Sequence, residues 1–274
     1  MTMTQSASER WASALAEWAI PERIESLAPE PPWVLPPEFF RVGEPELADD
    51  RPSLRMARSA LGQEGSVLDV GCGGGAGSVP LAPPASRITG VDGRASMLRN
   101  FAQACSDAGV MHQEVEGRWP DVAGEVEKSD VVVCHHVAYN VAEIDPFLIA
   151  LTERALRLVV VELTAEHPTA PFNFLWERFW GLARPSEPTA QLFSEVVREL
   201  GYQPIEESYT RPRRAPSMSR TDYVAFARRR LCLTPDRDRE IDSALGEHWP
   251  LDAPKVMTVA WAPPGQSAGH RSAG

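Results

Sequence analysis

Acidic residues and glycines are spaced in this sequence as in a binding site for a nucleotide-like ligand. Residues 67–77 read VLDVGCGGGAG, an apolar run that contains Asp69 and is followed by five glycines within seven residues. The glycines lack the Cβ atoms that would keep a ligand away from the backbone. A carboxylate two residues before the first glycine repels a pyrophosphate but suits a cation, so the spacing favours a ligand that carries positive charge.

A second acid lies where a ribose-binding residue is expected. Residues 87–92 form the second predicted strand, which ends in Asp92, 21 residues after Gly71, and a carboxylate there can accept hydrogen bonds from both hydroxyls of a ribose. Two alternatives remain open. Gly71, Gly73 and Ala76 also satisfy the dinucleotide pattern G-x-G-x-x-[GA], although Asp69 disfavours a nicotinamide dinucleotide. The glycines could also form a purely structural turn.

The elements that must position these residues are those of an α/β fold. Continuous apolar runs predict buried parallel strands, and apolar residues at helical spacing predict amphipathic helices between them. Seven strands are predicted, at residues 67–70, 87–92, 110–115, 130–134, 158–163, 205–209 and 255–262. Two helical stretches within residues 212–252 make that interval an insertion before the last strand.

Domain boundaries follow from the same pattern. Residues 1–60 combine an amphipathic helix with a proline-rich segment and are predicted to form an N-terminal cap. Phe39 and Phe40 in that segment could cover a site or pack the first helix onto the sheet. Residues 61–262 are predicted to form the main domain, and residues 263–274, rich in Pro, Gly, Ser and Ala, a disordered tail.

Residues 67–77 resemble motif I of the class I S-adenosylmethionine-dependent methyltransferases, which often reads V-L-D-V-G-C-G-x-G. The resemblance is specific over about residues 65–165. It implies a seven-stranded, mostly parallel Rossmann-like sheet flanked by helices, with the last strand antiparallel beside the sixth. It also implies S-adenosyl-L-methionine as cofactor and S-adenosyl-L-homocysteine as product. The cofactor-binding residues predicted on this basis are Asp69, Gly71, Gly73, Asp92, Gly93, Met97, Arg118, Trp119 and Cys134.

The parts of this cofactor have different requirements. Its ammonium group needs oxygen atoms, which the acid of motif I and the backbone near Cys134 supply, and its adenine needs an apolar partner such as Met97. The family often has Gly-Asp after the third strand, but here Arg118 occupies the position of the acid, and arginine cannot accept a hydrogen bond. We therefore expect the Arg118 backbone and packing by Trp119 to bind the adenine, with Glu116 as an alternative.

Histidines after the fourth and fifth strands are the candidate catalytic residues. His135 and His136 directly follow the fourth strand, and alternate side chains of an extended chain point to opposite sides, so one of them is expected to face the ligand. His167 follows the fifth strand at the same edge. An imidazole can take a proton from an acceptor near neutral pH; alternatively, these histidines only shape the loops. Adjacent histidines without a nearby acid are poorly spaced for a metal, and none is predicted. Glu162, within an apolar strand, is expected to be paired.

Composition limits the partners and the compartment. The net charge is −11 and the isoelectric point about 5.1, which makes nucleic acid an unfavourable partner. The four cysteines have no metal-ligand spacing and are predicted to be reduced. No apolar run approaches the roughly 18 residues of a membrane span, and the N-terminus lacks the pattern of a secretory signal. We therefore expect a cytoplasmic protein with no membrane association, and its oligomeric state stays open, with a homodimer as one option.

Together these features predict a methyltransferase that acts on oxygen, nitrogen or carbon of a small, partly hydrophobic molecule. The aromatic residues within 172–180 could enclose such an acceptor or form the core of a cap. Seven arginines lie between Arg211 and Arg230; they could bind nucleic-acid phosphate, an anionic substrate or an acidic partner, or form a solvated face. They support the alternative of a nucleic-acid or protein methyltransferase. A catalytically silent cofactor-binding protein is a further alternative.

Overall fold

The computed structural model describes residues 5–33, 50–211, 219–246 and 253–265. They contain a seven-stranded sheet with the strand order β3-β2-β1-β4-β5-β7-β6. The strands are β1 Gly65–Val70, β2 Ala85–Asp92, β3 Met111–Glu116, β4 Ser129–His135, β5 Ala155–Thr164, β6 Ile205–Thr210 and β7 Lys255–Trp261. Each lies within three residues of its predicted bounds, so the α/β fold class is confirmed.

Strand direction places the ends of most strands at one edge. β1 pairs in parallel with β2 and β4, β2 with β3, and β4 with β5. β7 is antiparallel to both β5 and β6, as the resemblance implied. The order of the strands along the chain reverses at β1, which has β2 on one side and β4 on the other. Open α/β sheets bind ligands in the crevice at such a switch point.

Nine helices accompany the sheet in the described ranges. They are α1 Ala7–Glu17, α2 Glu22–Glu25, α3 Pro52–Leu61, α4 Ala95–Asp107, α5 Ile144–Arg154, α6 Asn173–Trp180, α7 Ala190–Glu199, α8 Arg220–Arg230 and α9 Asp238–Leu245. Helix α1 begins with a capping box, in which the Ser6 hydroxyl accepts from the Glu9 N–H and the Glu9 carboxylate accepts from the Ser6 N–H. Helix α5 begins at Ile144, and Asp145 lies in its first turn. None of these helices is long and apolar enough to cross a membrane.

Apolar layers cover both faces of the sheet. Trp11 of α1, Phe147 of α5 and Phe193 of α7 belong to one layer, and Leu54 of α3 and Phe101 of α4 to the other. All five side chains are almost completely buried. Of the helices from the segment predicted as a cap, α3 packs on the sheet itself and α1 packs against α5 and α7, and the boundary at residue 60 stays a prediction.

A third apolar cluster joins helices α2, α6, α8 and α9, which we call the helical cap. Ile24 of α2, Trp176 of α6, Ala227 of α8 and Ile241 of α9 are buried in it. The insertion before the last strand is therefore helical, as predicted, and packs against an N-terminal helix. Phe39, Phe40, Arg213 and Arg214 lie outside the described residues, as does the predicted tail beyond residue 265.

Candidate functional site

A cavity of about 1470 Å³ opens at the edge of the sheet where β1, β2 and β4 end. Its wall has two parts. The glycine end consists of lining residues within 69–77, 91–94 and 117–121. The histidine end consists of Arg51, His135, His136 and Arg211. The loop after β4 also contributes to the wall. One cavity therefore brings most of the predicted cofactor residues together with two of the three predicted catalytic histidines.

The turn after β1 approaches its neighbours too closely for side chains. Gly71 has φ +71°, and a Cβ there would lie 2.3 Å from Cγ2 of Val137. A Cβ at Gly77 would lie 2.9 Å from Nδ1 of His135. The Gly71 N–H donates to the carbonyl oxygen of Val91 at 2.8 Å, which ties the turn to β2. The turn therefore presents bare backbone to the cavity.

Asp92 is held by backbone donors at the end of β2. Its Oδ2 accepts from the N–H of Gly73 at 3.1 Å, and its Oδ1 accepts from the N–H of Arg94 at 2.9 Å. Gly93, between them, also lines the cavity. Because each carboxylate oxygen has two lone pairs, Asp92 is fixed in orientation and can still accept further hydrogen bonds from a ligand.

Asp69 is a buried carboxylate without a cation in contact. Only 1% of the surface of Asp69 is exposed, and its Oδ2 accepts a hydrogen bond of 2.5 Å from the Ser78 hydroxyl. Burial raises the pKa of Asp69 to about 7; the hydrogen bond from Ser78 and the more distant charge of Arg51 oppose that rise, and Asp92 adds to it. Among the described residues it forms no ion pair. The glycine end thus contains a negative group that a ligand cation would stabilise.

Glu162 is the centre of a buried polar network behind the histidine end. Its Oε2 accepts from the hydroxyls of Ser53 at 2.5 Å and Tyr209 at 3.1 Å, and it lies 3.1 Å from Nε of Arg51. Its Oε1 lies 3.2 Å from Nε2 of His136. Burial alone would raise the pKa of Glu162, but the contact with His136 and the nearby positive groups outweigh burial and lower that pKa. Glu162 is therefore ionised and paired, as expected from its position in the strand.

The two adjacent histidines differ in their surroundings. His136 has φ +60°, its N–H donates to the Glu162 carbonyl oxygen at 2.7 Å, and its side chain is 33% exposed. Nε2 of His136 contacts Glu162 without the geometry of a hydrogen bond, and Nδ1 is the nitrogen that remains for a substrate. Both ring nitrogens of His135 are buried and have no hydrogen-bond partner among the described residues. Burial lowers the pKa of His135 to about 3, which makes it a weak base at neutral pH.

Comparisons with known proteins agree with this architecture. Residues 67–159, from β1 into β5, match the family model described as "Methyltransferase domain". A ubiquinone biosynthesis O-methyltransferase from Azorhizobium caulinodans is 34% identical over 82 residues, which are 30% of this chain and 32% of that protein. One from a Methylobacterium species is 33% identical over 83 residues, 30% of this chain and 33% of that protein. The chain therefore spans about a third of the length of these curated relatives.

The crystal structure of the YcgJ protein from Bacillus subtilis superposes with a TM-score of 0.53 at 14% identity, over 78% of this chain and 99% of that chain. At this identity the likeness shows a shared fold. The family match is to a methyltransferase domain, over residues 67–159. The match begins within the glycine motif, on whose residues the resemblance rested.

The glycine end suits the cofactor of such domains, S-adenosyl-L-methionine. An ammonium group would supply the cation that Asp69 lacks, and the free lone pairs of Asp92 would accept from ribose hydroxyls. The bare backbone at Gly71 and Gly73 leaves room for the part of the cofactor between them. The buried carboxylate of Asp69, the oriented carboxylate of Asp92 and the glycine turn after β1 are three independent features that fit one ligand.

The part of the cavity that is predicted to bind adenine differs from its sequence prediction in one respect. Arg118 and Trp119 line the cavity as expected, and the indole N–H of Trp119 donates to the Phe147 carbonyl oxygen at 3.3 Å, so that N–H is not available to a ligand. Glu116 is not among the lining residues, but Asp121 is. Asp121 is an acid three residues after Arg118 that sequence reasoning missed, because only the motif position itself was considered.

Three predicted site residues do not line the cavity. Met97 and Cys134 are fully buried, and the side chain of Cys134 lies on β4 behind the wall. His167 stacks on Trp18 with 3.9 Å between ring centroids, and its Nδ1 lies 2.8 Å from the Thr169 hydroxyl. Burial lowers the pKa of His167 to about 4. The roles predicted for these three residues stay predictions.

The described arginines between Arg211 and Arg230 differ in what their side chains contact. Three pair with acids, as Arg220–Asp242 at 2.5 Å, Arg228–Asp238 at 2.8 Å and Arg229–Glu30 at 2.6 Å. Arg230 is 8% exposed and lies over the ring of Phe226, 5.1 Å from its centroid. Arg211 lines the cavity. Only part of the segment is therefore a solvated, acid-balanced face.

The aromatic residues of α6 and the turn before it belong to the helical cap. Phe172 and Trp176 are buried in its cluster, and Phe174, Phe179 and Trp180 pack against it. None of the five is among the residues that line the cavity. Of the two interpretations of this segment, the structure supports the packed cap. Among the described residues of the N-terminal region, the aromatic Trp33 lines the cavity, with 47% of its surface exposed.

Proposed function

We propose that this chain is a methyltransferase that uses S-adenosyl-L-methionine to methylate oxygen, nitrogen or carbon of a small, partly hydrophobic acceptor. One observation carries the proposal. A single cavity has a glycine turn with two carboxylates, Asp69 and Asp92, at one end and the His136–Glu162 pair at the other. Bound at the glycine end, the cofactor supplies a methyl group activated by a sulfonium, so the chain has to bind and align both reactants and keep water out.

The histidine end can remove a proton from the acceptor. Nδ1 of His136 takes the proton of a hydroxyl or amine as the acceptor atom is methylated, and the Glu162 carboxylate, 3.2 Å from Nε2, stabilises the imidazolium that results. Glu162 does not line the cavity, so it acts as a positioning residue. The same arrangement of base and orienting carboxylate recurs in enzymes of unrelated folds.

The size of the cavity supports an acceptor of small-molecule size. Pockets for one drug-sized ligand measure roughly 300–1,000 Å³, and this cavity, at about 1470 Å³, has room for a cofactor and a second small molecule. The curated relatives are O-methyltransferases of ubiquinone biosynthesis, by name, which supports a small acceptor, although the alignment covers a third of their length. The ion pairs of Arg220, Arg228 and Arg229 leave less positive charge for nucleic acid than the sequence suggested.

Isothermal titration calorimetry with S-adenosyl-L-methionine, S-adenosyl-L-homocysteine and NADH tests the proposal. We expect saturable binding of the first two and none of NADH. The D92N variant should bind S-adenosyl-L-homocysteine at least about tenfold more weakly, because a charged acceptor of ribose hydroxyls is replaced by a neutral one. The D107N variant, which changes an exposed acid on α4, is the matched control. Saturable binding of NADH, without binding of S-adenosyl-L-methionine or S-adenosyl-L-homocysteine, would contradict the proposal.

A further inference from the structure

Arg211 lies at the histidine end of the cavity, on the strand edge next to the proposed catalytic pair. It directly follows β6, whose last residue, Thr210, pairs with Lys255. Its N–H continues that pairing by donating to the Pro254 carbonyl oxygen at 3.0 Å, so its backbone is fixed. Its charge acts on His135 and on Tyr209, two residues earlier. Arg211 is therefore held beside the histidines and faces the cavity that they line.

The guanidinium of Arg211 has no partner within the described chain. It makes no ion pair and no side-chain hydrogen bond with any described residue, which separates it from Arg220, Arg228 and Arg229. Arg51, the second guanidinium of the histidine end, is 3.1 Å from the Glu162 carboxylate. The histidine end therefore carries one positive charge that no acid of the described residues compensates.

The charges at the two ends of the cavity indicate which class of acceptor the histidine end would bind. The uncompensated acid, Asp69, lies at the glycine end, where the ammonium of the cofactor would meet it. A cationic acceptor at the histidine end would be repelled by Arg211, and a neutral one would leave that guanidinium unpaired. A monoanion compensates it with one charge, and the planar fork of arginine matches a carboxylate with two parallel hydrogen bonds.

We propose that Arg211 binds a carboxylate of the acceptor, so that the substrates of this methyltransferase are small carboxylic acids with an apolar body. The apolar body would lie against lining residues such as Trp33, Val137 and Val141. A carboxylate is favoured over a phosphate dianion because a single uncompensated guanidinium is available. The inference rests on the proposed function and deepens it by naming the substrate class.

The test is a binding panel on the full-length protein saturated with S-adenosyl-L-homocysteine. Benzoate, 4-hydroxybenzoate, cinnamate and octanoate are titrated beside their primary amides and beside phenyl phosphate. We expect at least one acid to bind, and to bind at least about tenfold more tightly than its amide and than phenyl phosphate. Equal binding of acid and amide, preference for phenyl phosphate, or no saturable binding of any acid would overturn the inference.

Variants assign the preference to Arg211. In R211Q the acid and its amide should bind equally, and R211K should keep only part of the preference, because lysine retains the charge without the fork. R239Q, which removes an exposed positive charge from α9, is the matched control and should keep the full preference. An undiminished acid preference in R211Q would overturn the assignment.

The two proposals fail in different ways. Each protein is first titrated with S-adenosyl-L-homocysteine alone. A wild-type protein that does not bind it contradicts the proposed function. A wild-type protein that binds it but does not distinguish acids from amides contradicts only the role of Arg211.

Discussion

Asp69 and Glu162 are two carboxylates with the same burial and opposite electrostatics. Each residue is 1% exposed. Asp69 has one hydroxyl partner, and burial raises its pKa to about 7. Glu162 has two hydroxyl partners, a guanidinium and an imidazole, and the contact with His136 and the nearby positive groups lower its pKa in spite of burial. The protein compensates one charge internally and leaves the other at the wall of the cavity.

This difference in charge compensation distinguishes an acid suited to binding a ligand from an acid suited to orienting a neighbouring side chain. A buried charge that its own chain stabilises contributes to the folded state and to the orientation of its partners. A buried charge left without a cation costs stability until a ligand supplies one. On this basis we propose that Asp69 binds the cofactor and that Glu162 orients His136.

Removing the charge of Glu162 should have the largest effect. The E162Q variant breaks the buried pair of Glu162 with Arg51, whose side chain is 4% exposed, and we expect the free energy of unfolding to fall by about 3–5 kcal/mol. The matched control is E207Q, because Glu207 pairs with Arg55 at 2.6 Å between side chains more than 40% exposed, and such a pair is worth at most about 1 kcal/mol. Urea denaturation measures both.

The loss in E162Q should also depend on pH. Because the folded-state pKa of Glu162 lies below its ordinary value of 4.5, its stabilising contribution is present above that value and is lost as the pH falls below it. The difference between wild type and E162Q should therefore shrink below pH 4.5. Equal stability of E162Q and wild type at pH 7 would contradict the account of a compensated charge.

Replacing Asp69 should have the opposite effect on the unliganded protein. Its folded-state pKa of about 7 lies above its ordinary value of 3.8, so the folded state binds the proton more tightly, and stability falls as the pH rises from about 4 to 7. D69N removes this penalty. Its stability relative to wild type should rise over that interval by about 4 kcal/mol at most, at about 1.4 kcal/mol per pKa unit. Urea denaturation at several pH values measures it, and a difference that is constant with pH would contradict the prediction.

The two histidines should differ in their effect on turnover. H136Q removes the oriented base, and we expect kcat on an identified acceptor to fall by about 100-fold, measured as release of S-adenosyl-L-homocysteine. H135Q should cost less, because burial lowers the pKa of His135 to about 3 and neither of its ring nitrogens has a protein partner among the described residues. Full turnover by H136Q would refute the proposed base.

The smallest effect concerns the backbone of the glycine turn. G71A places a Cβ 2.3 Å from Val137 at φ +71°, and we expect a loss of about 2 kcal/mol in the free energy of unfolding. G124A is the matched control, because a Cβ at Gly124 meets nothing within 4 Å, and its effect should stay within about 0.5 kcal/mol. If thermal or chemical denaturation shows the two variants to be equally stable, the close approach at Gly71 is not important.

The glycine end could be predicted because its determinants are local in sequence. Asp69, Gly71, Gly73 and Asp92 lie on two consecutive strands and the turn after the first of them, so spacing alone determines their relative positions. Strands β1, β4 and β5 were predictable for a similar reason, since buried parallel strands are continuous apolar runs. Met97 shows the limit, because a helical stripe indicates which residues are buried but not whether a ligand touches them.

The histidine end could not be predicted in the same way because it is assembled from distant segments. Arg51 precedes the first strand, His136 follows β4, and Tyr209 and Arg211 come from the end of β6. Their convergence depends on the strand order, which places β5 beside β4 and sets β6 two strands further along. Alternation indicated that the two adjacent histidines differ, but the choice between them depends on the pairing of His136 with Glu162.

The uncompensated charge of Asp69 is tested most directly by counting protons when the cofactor product binds. Calorimetric titration with S-adenosyl-L-homocysteine at pH 7, in two buffers of different ionisation enthalpy, gives the number of protons released. Because the pKa of Asp69 is about 7, we predict that the wild-type protein releases about half a proton as the ligand ammonium fixes Asp69 in its ionised form, and that D69N releases none and binds more weakly. Binding of equal strength by both proteins, with no proton release from either, would contradict the account.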